Sequence, residues 1–134
     1  MKTILTSIAL AGATLALAAC GSDSDEQTET AGGSNAKALT ELGETRAGLA
    51  VALNAYKAGD KKGAEEAVSE AYLEHFEHVE GPLEAKDEEL TEELEDGIRE
   101  GLRDDVKSDK PVAEVEQAFQ DVYADMDKAE ALLR

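Results

Sequence analysis

Residues 71 to 84, AYLEHFEHVEGPLE, carry both histidines of the chain, His75 and His78, and four glutamates, Glu74, Glu77, Glu80 and Glu84; Glu70 stands just before them. Imidazole nitrogens with carboxylate oxygens are the donor set of iron, manganese, zinc and copper sites, so this stretch is where metal chemistry would be sought first. The same residue types also make an ordinary solvated helix face, and the elements that position them decide between the two.

Val68, Tyr72, Phe76 and Val79 recur at helical spacing, so the stretch reads as part of an amphipathic helix over about 61 to 80. With Tyr72 at the centre of the buried stripe and about 100° per residue, His75 falls about 60° to one side and His78 about 120° to the same side, while Glu80 falls about 80° to the other. Two clusters result. Glu74, His75 and His78 are neighbours at i,i+3 and i,i+4 on one flank; Glu77, Glu80 and Glu84 form a carboxylate ladder on the other. One ion does not bridge both flanks of one helix, so a metal site must borrow a ligand from a facing helix, with Glu44, Asp87, Glu92, Glu95, Asp121 and Asp125 as the donors on offer. The bland alternative makes His75 a boundary residue and His78 a solvated one paired with Glu74. It gives Glu77 and Glu80 to Arg103 or Arg46, two arginines beside apolar stripes that call for carboxylate partners.

Three more helices are expected around this one. Leu42, Leu49, Leu53 and Tyr56 share a stripe over about 36 to 58; Gly59 fits the left-handed stop and Asp60 the next cap. Gly81-Pro82 should kink or break the second helix. Asp87 caps a third, about 88 to 107, with Leu90, Leu94, Ile98, Leu102 and Val106 in register. Ser108, Asp109 and Pro111 mark the turn into a fourth, about 111 to 133, in which Val112, Val115, Phe119, Val122, Met126, Ala129 and Leu133 alternate steps of three and four. No stretch alternates with period two. The expectation is an all-α antiparallel four-helix bundle over 36–134. Tyr56, Tyr72 and Tyr123 belong to its core or rim.

Ahead of it, Met1-Lys2, the uncharged apolar run to Ala19 and Cys20 have the form of a secretory signal, residues 1–19, too short and weakly flanked for a membrane span. Cys20 is the single cysteine, so no internal disulfide is open to it. LAAC-GS, 17 to 22, resembles a bacterial lipobox. That resemblance implies cleavage before Cys20, lipidation of its sulfur and membrane attachment through two or three acyl chains. Residues 20–35, rich in Gly, Ser, Thr and acids, then form a flexible tether. The expected location is the extracytoplasmic face of the cell membrane.

Thirty-one acidic residues face 13 basic ones, a net charge of −18. Such a surface repels nucleic acid and anionic headgroups and favours cations or a basic partner. Nothing points to an enzyme: there is no Gly-rich phosphate loop, GSDS lies in the tether rather than at a nucleophile elbow, and carboxylate pairs are too common here to identify a catalytic one.

A family resemblance adds to this. An alanine–tyrosine pair, a phenylalanine–glutamate pair and a glutamate three residues on fall at Ala71, Tyr72, Phe76, Glu77 and Glu80; a later glutamate and a Leu-Arg pair fall at Glu95, Leu102 and Arg103. Together with ALNAYKAGD (52 to 60), LEDGIREGLRDDV (94 to 106) and PVAEVEQA (111 to 118), they resemble, over about 52 to 130, the extracytoplasmic helical domain that precedes the membrane part of bacterial high-affinity iron permeases. REGLR, 99 to 103, looks like a signature of the permease membrane helices, but it lies in a charged helix and ends in Arg103, so it is taken as coincidence. The permease spans themselves are not in this chain. The resemblance implies a domain concerned with iron handling, held by a lipid anchor and working beside a membrane partner such as a permease. On this basis the expected metal residues are Glu77 and Glu80 from the motif, with His75, His78 and Glu74 beside them, and iron or another transition metal as the bound ion. The alternative is a metal-free protein-interaction module docking onto such a membrane partner.

Overall fold

The computed structural model describes residues 31–134. The expected signal segment, Cys20 and the tether as far as residue 30 lie outside the described residues. Among the described residues every element is helical, and no helix is long and apolar enough to cross a membrane.

Four helices follow in order: α1, Ala31–Lys57; α2, residues 61–84; α3, residues 88–107; and α4, Val112–Leu133. Within the described residues α1 runs from Ala31, so residues 31–35, expected to be tether, are helical. The caps are where the residue types put them. Gly59 turns with φ +85, Asp60 accepts from the Gly63 backbone N–H at 2.9 Å, and Asp87 accepts from that of Leu90 at 3.0 Å. The expected break at Gly81-Pro82 does not occur: the helix continues through Pro82 to Glu84. Proline removes one backbone donor, but Val79 and Leu83, four residues apart and both fully buried, keep the last turn on the core.

α1 packs against α2 and α4, and α3 packs against α2 and α4. The core between them holds Leu49, Phe76, Leu83, Leu94, Ile98, Leu102, Phe119, Met126 and Leu133, all sealed from solvent. Of the stripes read from sequence, only Leu53 and Val112 fall short of the core; Val112 stands 40% exposed at the start of α4. Tyr56 is buried and its hydroxyl donates to the carbonyls of Ser108 and Lys110, tying the α3–α4 turn to the end of α1.

Two helices change hand-hold midway. α2 is π-helical over Ala71–Phe76 and α3 over Gly97–Leu102. The cause lies in the spacing of the buried residues. In α3 they recur at Leu90, Leu94, Ile98, Leu102 and Val106, always four apart. Each step of four overshoots a full α-turn by about 40°, so four such steps would swing the stripe about 160° off the core. A stretch bonded i→i+5 holds more residues per turn and brings the stripe back. Ala64, Val68, Tyr72 and Phe76 impose the same correction on α2. α1 and α4 alternate steps of three and four and remain α-helical throughout.

α1 and α2 approach closely at Gly48, where a Cβ would meet the Cβ of Ala71 at 2.9 Å; a Cβ on Gly43, one turn earlier and exposed, would meet nothing. Glycine inside a helix costs roughly 0.5–1 kcal/mol relative to alanine. Gly43→Ala is therefore expected to stabilise by about that amount. Gly48→Val must push two helices apart and is expected to destabilise by about 1–3 kcal/mol. Thermal melts of the two variants should move in opposite directions.

Candidate functional site

The five expected metal residues all sit on α2, and the neighbouring helices divide them. His75, at the edge of the core, meets α1: its Nδ1 lies 2.9 Å from Oε2 of Glu41, and the two side chains are 35% and 20% exposed. Glu80 meets the opposite flank. It accepts the Tyr72 hydroxyl at 2.7 Å, on the side where Tyr72 borders Arg99 of α3. Glu74, Glu77 and His78 are exposed. No hydrogen bond joins His78 to Glu74, and among the described residues no three His, Cys, Asp or Glu side chains stand ready to hold one metal ion. The five residues thus do not form a single centre. The two-flank geometry read from the helical wheel is what the neighbouring helices have sorted.

The arginine partners expected for Glu77 and Glu80 are also different. Arg103 is held by Glu65, to which both Nε and Nη2 donate at 3.2 and 3.1 Å, and Lys107 joins the same carboxylate at 3.0 Å. Glu65, one turn ahead of Ser69 on α2, is the nearer carboxylate in register with α3. Those hydrogen bonds, that of Lys107 foremost, hold its carboxyl below the usual range. Arg46 reaches Asp127 of α4 at 2.5 Å and lies 5.4 Å above the ring of Tyr123. Four of the six outside donors are likewise engaged: Asp87 caps α3, Glu95 pairs with Arg99 at 2.8 Å, Asp121 accepts from Gln117 and Asp125 from Lys128; Glu44 and Glu92 are exposed.

The residue missed from sequence is Glu41. Its hydrogen bond with His75 holds its carboxyl below the ordinary range against partial desolvation, with added pull from the charges of His75, His78 and Lys37. A signal existed: Glu41 directly precedes Leu42 of the α1 stripe, which places it beside the core where only a partnered carboxylate is comfortable. His75 also lines a groove between α1 and α2 with Gly48, Val51, Ala67, Glu70, Ala71 and Glu74, of about 200 Å³. Gly48 and Ala71 make its floor, since their small size brings the two helices together. A histidine whose Nδ1 is fastened to a carboxylate presents Nε2 as its free donor, the arrangement that orients metal-binding imidazoles. Glu70 and Glu74 bring two carboxylates to the same groove at i,i+4. Glu70, Glu74 and His75 thus share the α1 flank of α2, while Glu80 lies on the α3 flank.

On the α3 flank Tyr72 is buried. Desolvation first, and then the bond to Glu80, push its hydroxyl well above the ordinary tyrosine range, and burial raises Tyr123 as well. A raised phenol keeps its proton in the folded state after the unfolded chain has lost it. Stability is therefore untouched below about pH 10 and falls as pH rises beyond it. In an absorbance titration of the folded protein Tyr72 and Tyr123 should ionise late, and Tyr72→Phe should remove one late ionisation.

In comparisons with known proteins, no family model, no curated protein and no solved structure matches this chain.

Proposed function

We propose that this chain is a lipid-anchored extracytoplasmic protein, an antiparallel four-helix bundle that captures a transition metal ion, iron foremost, in support of metal uptake or sensing beside a membrane permease. Its role is binding rather than catalysis. The signal-like segment 1–19, the lipobox-like Cys20 and the resemblance to the iron-permease domain support the location and the metal. The observation that carries the site is the bond between His75 and Glu41, which bridges α2 and α1 at 2.9 Å and leaves the other ring nitrogen for a ligand. His75 and Glu74 are the foremost ligands, Glu70 and His78 can complete the shell by rotamer change, and Glu41 orients the imidazole. The net charge of −18 concentrates cations around the groove and repels nucleic acid.

Glu77 and Glu80, named by the resemblance, have weaker support: Glu80 is taken up by Tyr72 and Glu77 stands apart. Calorimetric titration with Fe(II) and Zn(II) separates the two sets. The Glu77→Ala/Glu80→Ala double variant should keep the stoichiometry and affinity of the parent, and His75→Ala should lose both. The reverse pattern would return the site to the motif residues.

A second reading is a metal-free module that docks onto a membrane partner. Val51 favours it, as a large apolar side chain 61% exposed on the same groove. Unchanged melting with every metal, together with capture by permease-containing membranes, would select it.

A further inference from the structure

A second concavity lies on the other flank of α2, independent of the metal groove. Val68, Ser69, Tyr72 and Leu73 of α2 and Arg99 and Arg103 of α3 enclose a slot of about 170 Å³ whose lining is mostly apolar. Tyr72, Leu73 and Arg99 of its lining stand in the π-helical stretches of α2 and α3, a geometry that recurs at functional sites. Leu73 stands at the slot 55% exposed, a position that gains nothing from the core.

The guanidinium groups at the slot are already paired with Glu95, Glu100 and Glu65, so what the slot offers an anion is their remaining N–H donors rather than a net positive charge. Two of the four arginines of a strongly acidic chain stand one turn apart along it. Each is steadied from outside. Arg99 meets Glu95 through Nη1 at 2.8 Å and Glu100 through Nη2 at 3.5 Å; Arg103 gives Nε and one Nη2 hydrogen to Glu65. A guanidinium has five N–H donors, so these contacts orient both groups and leave donors over. Arginine suits planar carboxylates because its donors form a fixed fork. About 170 Å³ suits one aromatic ring or a chain of a few carbons.

We propose that this slot binds a small amphipathic carboxylate, an aryl or short-chain alkyl monocarboxylate. Its carboxylate lies between Arg99 and Arg103, and its apolar end lies against Val68, Tyr72 and Leu73.

Benzoate and hexanoate are the probes, added to the full-length protein in chelator while backbone amide NMR shifts are followed. Both should saturate, with the largest shifts at residues 68–73 and 99–103. Benzyl alcohol, with the ring but no charge, should bind at least about tenfold more weakly, as loss of a charge-assisted hydrogen bond requires. Arg99→Gln and Arg103→Gln should each weaken benzoate by about tenfold. Because Arg103 also ties α3 to Glu65, Leu73→Glu serves as a variant on an exposed site: it sets a negative charge at the slot and should abolish benzoate binding with the fold intact. Absence of shifts at the slot with both acids, or equal binding of benzyl alcohol and benzoate, would overturn the proposal. So would undiminished benzoate binding by Leu73→Glu.

Discussion

Phe76→Ala should lower stability by about 3–5 kcal/mol, the cost of emptying a large aromatic site in a packed core. Phe76 has no exposed surface and lies 6.0 Å from the Tyr72 ring, centroid to centroid, at the end of the π-helical stretch of α2. Its removal takes away both the packing and the residue that demands the change of helical register. A domain of about 100 residues loses roughly 4–8 °C of Tm per kcal/mol, so the melting point should fall by well over 10 °C. Native domains hold only about 5–15 kcal/mol in all, so the variant should be close to unfolding at room temperature. Urea unfolding followed by circular dichroism checks it. A loss under about 1 kcal/mol would mean that the core does not close around this ring.

The second large effect concerns a residue that the proposal keeps off the metal. Glu41→Gln should weaken metal binding by about 10- to 100-fold, the usual consequence of removing the carboxylate that orients a metal-binding imidazole. The folded structure should persist, because Glu41 is half-buried at the edge of the core and glutamine can still accept from His75 Nδ1. His75→Ala should remove binding altogether. Comparison of the two distinguishes an orienting carboxylate from a ligand. Equal affinity of Glu41→Gln and the parent protein would detach Glu41 from the site.

Most of the fold is legible in the sequence, because burial periodicity and caps report on the same residues. Gly59, Asp60, Asp87 and Pro111 punctuate the chain where local chemistry requires it, and the stripes of α1, α3 and α4 reach the core nearly whole. The π-helical segments were not expected from the sequence; they arise where the buried residues keep unbroken steps of four, Leu90 to Val106 and Ala64 to Phe76, which no straight α-helix can keep on one face. Pro82 shows the opposite case. Its local preference was clear, and the buried pair Val79 and Leu83 overrode it.

The candidate site was less legible, for a physical reason. A helical wheel places side chains around one helix but does not say which helix faces each flank. It separated His75 from Glu80 correctly, yet could not show that Glu41 would meet the one and Tyr72 the other. The same blindness assigned Arg103 and Arg46 to Glu77 and Glu80. Their actual partners, Glu65 and Asp127, follow from the relative rotation of neighbouring helices, which packing alone sets.

The most direct test of the metal reading is a set of melting curves of the full-length protein, stripped with chelator and then given Fe(II), Fe(III), Cu(II), Zn(II), Mn(II) and Ca(II) in turn. An ion that binds only the folded state at about one hundred times its Kd adds about 2.7 kcal/mol. Transition metals, iron foremost, are expected to raise Tm by about 10 °C or more; the rise should vanish in His75→Ala and survive in Glu77→Ala/Glu80→Ala. Six unchanged curves would contradict the metal reading and leave AYLEHFEHVEGPLE as a helix face.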